Sequence, residues 1–340
     1  MRIGGSWLWL KMGRQGRLSA LFLVFLVATS LIAVSGTWKV LFPAPSKLYA
    51  GQIGLEGDIN FSASDLAFQN ENTYPTRLTL GLNNEIYVSD AKANAVFIYD
   101  AELNLVGELN GINRPLGVAV GPDGSIYAGS DVDNDVKVYD QNGVKIRSIG
   151  AGTIKMPNDL AVDRDGWLYV VDSLSDKIWI YDPDGSAAGS IGETGQDPGQ
   201  FDFPVAITIG YRLKDDNEVG ELYVADQRNA RIQVFDLQGN FLRTYGSEAS
   251  PGTADRNWQG KFARIQSLAV DALGRIHAVD TFLNKVQILD ADTGDYIDSY
   301  GDFGVAEGQL NLPLDIIISG DRVIVTNAEN KRVEVIYIIP

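Results

Sequence analysis

Three groups of residues in this chain could do chemistry. The first is SDVDND at 130–135, which sets Asp131, Asp133 and Asp135 at alternate positions. Alternating carboxylates open a calcium-binding loop, so calcium or another divalent cation is the one cofactor suggested here. The glycine and the later bidentate glutamate of a helix–loop–helix site are missing, so the expectation is a solvated acidic loop and no cofactor. The second is His277, the single histidine of a chain without cysteine. One histidine allows no Cys–His pair and no His-rich metal site, and a Ser–His–Asp triad would rest on it alone. The third is a scatter of polar residues just ahead of short apolar runs: Arg77, Asn158 and Asp159, Gln266 and Ser267, and Asp315. Gly117 and Ala206 hold the matching places of two further runs.

The elements that must position these groups repeat. GETGQDPGQFDFP at 192–204 and GDFGVAEGQLNLP at 301–313 share the pattern G-x-x-G-x-x-x-G-Q-[FL]-x-x-P, with a degraded copy, GKFARI, at 260–265. After each comes a unit such as LAVDRDGWLYVVDSLSDKIWIYDPDGSAAGSIG, from Leu160 onward. It reads as four short strands of alternating or β-branched residues separated by Gly/Asp/Asn turns. The second strand carries an aromatic column at Tyr87, Tyr127, Tyr169 and Tyr223, continued by His277 and Ile324, at spacings of 40, 42, 54, 54 and 47 residues. Four strands per unit at this period predict an all-β propeller of six four-stranded antiparallel blades.

Two insertions explain the long spacings. One lies in the first turn of blade four, at 211–220; the other lengthens the loop at 247–260 before blade five. Blade six ends without a fourth strand, and KLYAGQIG at 47–54 resembles the fourth strands FLRTYG and AAGSIG. The expectation is that 47–54 pairs with 332–338 and closes the ring, covering a strand edge that would invite aggregation.

In such a ring the polar residues ahead of the inner strands surround the mouth of the central channel, so Arg77, Asn158, Asp159, Gln266, Ser267 and Asp315 are the ligand candidates there. Asp90, Ser130, Asp172, Asp226, Asp280 and Asn327 recur at the end of every second strand. That periodicity predicts backbone capping before a turn. His277, in a column otherwise mostly Tyr, is expected to pack and hydrogen-bond between blades. The loops at 73–77, 131–135, 247–260 and 281–284 vary between blades and would carry specificity. Arg256, Asn257 and Trp258 are the partner-contact candidates, because Trp and Arg dominate interface hot spots.

The glycine-rich loop together with YVADQRNARIQVFD at 223–236 resembles the NHL-repeat family of six-bladed propellers over roughly residues 48–340. Blades two to five match well, whereas Arg77 and Asn327 depart from the pattern in blades one and six. The resemblance implies a rigid disc with a binding face; the family includes protein-binding, RNA-binding and a few enzymatic members. Its amidating lyases use several His ligands, which this chain lacks. PNDLAVDRDG at 157–166 resembles, over about ten residues, the gluconolactonase and senescence-marker propellers. That likeness implies one calcium or zinc ion held by Asn, Asp and Glu, polarising a lactone carbonyl and activating water. Asn158, Asp159 and Asp315 would be the oxygen ligands, although Arg77 stands where that family supplies Glu.

The first 36 residues are different material. Arg2, Lys11, Arg14 and Arg17 precede an uncharged run from Leu18 to Val34, and no acidic residue occurs before Glu56. The pattern predicts a signal peptide or an uncleaved hydrophobic anchor helix over 1–36, a linker at 37–47, and the propeller over 48–340. The protein is therefore expected on the extracytoplasmic side, periplasmic or extracellular, tethered by that helix if it is uncleaved. Residues 37–340 hold 24 basic and all 44 acidic residues, a net −20. A domain so acidic repels a phosphate backbone, which disfavours nucleic acid. The leading expectation is a non-enzymatic scaffold that binds another protein or protein complex at the membrane; the alternative is a metal-dependent lactonase or hydrolase at the channel mouth.

Overall fold

The computed structural model describes residues 60–69, 73–214, 217–249 and 258–339. Twenty-four strands, numbered β1–β24 in chain order, form six antiparallel sheets of four. Blades one to five are residues 75–109, 115–149, 157–191, 204–245 and 265–300, each in sequence order from its inner to its outer strand. Blade six combines β22 (Pro313–Ser319), β23 (Arg322–Asn327) and β24 (Arg332–Ile339) with β1 (Asn60–Gln69).

The inner strands are β2 (Pro75–Leu80), β6 (Pro115–Val120), β10 (Pro157–Val162), β14 (Pro204–Lys214), β18 (Ile265–Val270) and β22. Each touches the next, and β2 touches β22, so the ring is closed at its centre. Five of the six open on proline, which lacks a ladder donor and suits the first position of a strand. Adjacent blades bury aliphatic and aromatic side chains between them. Val138, Leu168, Val170 and Tyr181 fill the space between blades two and three, and Val205, Tyr223, Ile265 and Ile276 that between four and five. Each buried Val, Leu or Ile contributes about 1.5–3 kcal/mol.

The polar column caps backbone, as its periodicity predicts, and it reaches further than the next turn. Asp90 accepts from Lys92 N and Ala93 N, and also from Tyr74 N in the loop leading into its own blade. Asp172 accepts from Lys155 N and Met156 N, and Asp280 from Ala263, Arg264, Phe282 and Leu283. In blades one and five a single carboxylate thus ties the incoming loop to the second-strand turn, and in blade three Asp172 holds the incoming loop. The repeated glycine loop has its own steric reason. At Gly192 φ is 91° and an added Cβ would lie 2.3 Å from the Phe201 ring, and at Gly301 φ is 84° and Leu310 stands 2.6 Å away. Only glycine lets the aromatic or leucine of the motif fold back over the loop.

Two expectations are corrected. The insertion in blade four is not a loose turn: β14 and β15 (Asn217–Asp226) continue pairing from Tyr211↔Gly220 to Lys214↔Asn217. The inserted residues satisfy their own backbone donors by lengthening the hairpin. The edge assigned to residues 47–54 is taken by β1, which runs antiparallel to β24 from Asn60↔Ile339 to Gln69↔Arg332. Residues 47–54 themselves, like the apolar run Leu18–Val34, lie outside the described residues. Among the described residues no helix is long and apolar enough to cross a membrane.

Candidate functional site

Every inner strand begins with a register shift at its second residue, between Pro75 and Arg77, Pro115 and Val118, Pro157 and Asp159, Pro204 and Ala206, Ile265 and Ser267, and Pro313 and Asp315. A bulge leaves its extra residue outside the ladder. Four of these residues, Asn158, Val205, Gln266 and Leu314, direct their carbonyls to one point, the guanidinium of Arg77. Nε donates to Asn158 O at 3.2 Å, Nη1 to Gln266 O at 3.1 Å and Leu314 O at 3.0 Å, and Nη2 to Val205 O at 2.5 Å. Arg77 is only 1% exposed, so these bonds are made away from water. A side chain of blade one therefore binds blades three, four, five and six together on the axis.

Two carboxylates complete the cluster. Asp315 Oδ1 lies 3.3 Å from Arg77 Nη1, and Asp159 Oδ1 lies 4.0 Å from Nε. Asp315 also accepts from Leu78 N at 2.5 Å and from the Ser267 hydroxyl. Asp159 accepts from Leu160 N and from Ile207 N, both at 2.9 Å. Asn158 gives its side-chain carbonyl to Arg77 at 3.3 Å and its amide to Ser173, whose hydroxyl donates to Pro204 O. Burial pushes the Asp159 carboxyl up to about 7, with Arg77 pulling it down and Asp315 pushing it further up. Asp315 is raised by the same burial, against the pull of Arg77.

Sequence choices in blade two make room for this. A Cβ on Gly117 would lie 2.7 Å from Asp159 Cα, and one on Gly129 would lie 2.6 Å from Pro157 O. Blade three is thereby drawn in against bare backbone. The structure brings Arg77, Asn158, Asp159, Ser267 and Asp315 together, with Gln266 joining through its carbonyl while its side chain accepts from Gln227. It does so as an internal network, where an open polar rim was expected.

The metal implied by the lactonase resemblance does not fit these residues. Asn158, Asp159 and Asp315 do turn oxygens toward the axis, and the guanidinium is already the cation they surround. The acidic loop is likewise neutralised from within. Lys137 Nζ lies 2.8 Å from Asp135 and 3.0 Å from Asp133, and Arg114 lies 3.1 Å from Asp131, so the three carboxylates serve two different cations. Among the described residues no group of three or more His, Cys, Asp or Glu is arranged to hold a metal ion.

His277 is fully buried in blade five, with Nδ1 3.2 Å from the Tyr300 hydroxyl and Nε2 3.2 Å from Asp271 Oδ2. Burial pushes its pKa down, against the pull of Asp271. It is a buried packing residue, but both of its hydrogen-bond partners belong to blade five, where bonding between blades was expected. Trp258 is half-buried, and Arg256 and Asn257 lie outside the described residues.

One feature of the disc went unread in the sequence. The turns between second and third strands project from the same face as the inner-strand starts, and three of them carry exposed apolar tips: Val132 at 55%, Leu174 at 58% and Phe282 at 64%. Phe303 and Val305, in the loop before blade six, add to that face. The available signal was a bulky apolar residue where the other blades place Lys92, Arg228 and Glu329.

No family model matches the chain, and no curated protein sequence matches it. Solved structures do resemble it. A gluconolactonase from Xanthomonas campestris superposes with a TM-score of 0.61 at 16% identity, over 83% of this chain and 91% of that one. A protein of unknown function from Bacteroides thetaiotaomicron gives 0.60 at 20% identity, over 83% and 76%. Virginiamycin B lyase from Staphylococcus aureus gives 0.59 at 14% identity, over 83% and 100%. At these identities the likeness establishes the six-bladed propeller fold and leaves membership of the NHL-repeat family to the motif resemblance alone.

Proposed function

We propose that this propeller is a non-enzymatic binding disc of the NHL type, which holds another protein on the face carrying Val132, Leu174 and Phe282. The observation behind this reading is that contrast on one face. The polar groups at its centre are consumed by Arg77, while apolar tips stand out around it on three blades. Bulky apolar side chains held out from one face of a rigid disc give a partner anchors to bury. The positively flanked run Leu18–Val34 supports an extracytoplasmic location, tethered or released, and the net −20 of residues 37–340 disfavours nucleic acid.

The test is cross-linked capture from the membrane fraction by full-length protein, comparing the parent with a Leu174→Ser, Phe282→Ser double variant. The proposal expects the variant to lose the partner that the parent retains while melting within a degree or two of it. Equal capture by both proteins would reject this face. A lactonase reading would require lactone turnover that depends on added divalent metal and is abolished by Asp159→Asn; Arg77 at the axis speaks against it.

A further inference from the structure

Two outer strands reach across to the next blade through an arginine. In blade two Arg147, paired with Val138, donates from Nη2 to Pro183 O of blade three at 2.8 Å. In blade four Arg243, paired with Val234, donates from Nη2 to Ala291 O of blade five at 2.9 Å. Pro183 and Ala291 each follow the aspartate that opens the turn between third and fourth strands. Blade three has glycine at the same register, Gly189 opposite Ile180, and the matching turn carbonyl in blade four is that of Leu237. A Cβ on Gly189 would meet nothing within 4 Å.

Between blades three and four the unfilled place is a hollow of about 360 Å³. Trp167, Ile180 and Leu237 line it, each only partly buried, so each keeps apolar surface toward the open space. Polar groups converge on the same hollow. Leu237 O accepts from the Tyr169 hydroxyl at 3.0 Å and has a second lone pair, whereas Ala291 O serves both Arg243 and Tyr245. Of the two carboxylates at the edge, Asp163 is engaged by Trp167 N and the Tyr169 hydroxyl. Asp165 is exposed and its carboxylate makes no hydrogen bond or ion pair. Arg164, which stands between them in sequence, is held elsewhere, 3.9 Å over the Tyr211 ring and paired with Glu218.

We infer that this hollow takes an arginine side chain from outside the chain, its guanidinium at Leu237 O and Asp165 and its methylene stem along Trp167 and Ile180. The fold makes the same bridge twice from within, at Arg147 and Arg243. A guanidinium is planar and weakly hydrated, and it stacks on aromatic faces, one of which Trp167 supplies. The hollow exceeds the roughly 150 Å³ that accommodates benzene, so the group and its stem fit. It opens at the end of the strands opposite the Leu174 and Phe282 tips, and the inference does not rest on the partner proposed for that face.

The test is calorimetric titration of the full chain with N-acetyl-L-arginine methylamide, free L-arginine and N-acetyl-L-lysine methylamide. Blocked arginine should bind at least about tenfold more tightly than blocked lysine, whose compact ammonium lacks the planar fork. Free arginine binding as tightly as the blocked form would assign the site to the amino acid; weaker binding would assign it to an arginine within a polypeptide. Gly189→Arg supplies the guanidinium from within, as blades two and four do, and should abolish binding. Asp165→Lys, a change at an exposed turn, should abolish it by repulsion, and it carries the test if Gly189→Arg fails to fold. Equal binding of blocked arginine and blocked lysine would overturn the inference, because it marks general attraction to an acidic surface. So would binding that survives in folded Gly189→Arg or in Asp165→Lys, and so would no binding at all.

Discussion

Arg77 and Asp315 meet at 3.3 Å across the junction where the ring closes, 238 residues apart in sequence. Blade one and blade six are neighbours only because the chain returns on itself. Leu78 N reaches the other Asp315 oxygen at 2.5 Å, so the junction carries a backbone bond beside the ion pair. With four bulge carbonyls on the same guanidinium, Arg77 is a hub on which five of the six blades converge.

Removing the hub should therefore cost more than one contact. Arg77→Ala leaves Asp159 and Asp315 uncompensated and four carbonyls without donors, and the expected loss is about 3–5 kcal/mol in denaturant unfolding. Arg77→Lys should recover only part of it, because a compact ammonium cannot span the carbonyls that the planar fork reaches. A variant as stable as the parent would show that the hub is not needed.

The axis acids also set a pH dependence. A carboxyl whose pKa is raised on folding, as Asp159 is to about 7, binds its proton more tightly in the folded state. Its contribution is present below the usual carboxylate range and is lost as pH rises through about 7. Stability should fall from about pH 4 to about pH 7 and level off above it, and Asp159→Asn should flatten that slope in pH-resolved melts. At the acid end the sign reverses. The Glu221 and Asp271 carboxyls are held down at about 2, by hydrogen bonds from Arg243 and from His277 respectively that outweigh burial. Their contribution is present above about pH 4.5 and is lost as pH falls toward 2.

Gly117 tests the packing that draws blade three inward. An added methyl would lie 2.7 Å from Asp159 Cα and 2.8 Å from Leu160 Cγ, and backbone cannot step aside as a side chain can. Gly117→Ala should cost about 1–3 kcal/mol. The distinguishing readout is coupling: in an Arg77→Ala background the cost should shrink, because the two changes act on one cluster. Full additivity would separate Gly117 from the hub.

The pairing of β1 with β24 predicts where truncation becomes harmful. A chain starting at residue 60 keeps the strand that covers β24, whereas one starting at residue 70 exposes an eight-residue edge. The second should aggregate and melt lower, as an uncovered edge strand does. Equal melting of the two would dissociate β1 from the stability of the ring.

The repeat was legible because it is written in side chains at fixed intervals. The Tyr column, the capping aspartates and the Gly-x-x-Gly loops each announce a blade, and His277 was readable as packing from its place in the column. What lies at the axis is written in backbone. The carbonyls of Asn158, Val205, Gln266 and Leu314 turn inward through bulges, which no residue type reports, so Arg77 read as a departure from pattern when it is the centre of the network. The one legible clue was a single Arg set against two Asp at the same register of different inner strands. The closing strand was misplaced for a related reason. Residues 47–54 resemble a fourth strand in composition, whereas NFSASDLAFQ in β1 alternates weakly and breaks register twice against β24.

The most direct measurement is melting of full-length parent and Arg77→Ala protein in EDTA, then with calcium, zinc or manganese. If Arg77 is the cation of the axis, the parent melts at one temperature in every condition. The variant melts lower, and calcium raises it toward the parent by filling an oxygen-lined space; a site occupied at a hundred times its dissociation constant adds about 2.7 kcal/mol. A parent protein whose melting temperature climbs with added metal would contradict this, and would return Asn158, Asp159 and Asp315 to the role of metal ligands.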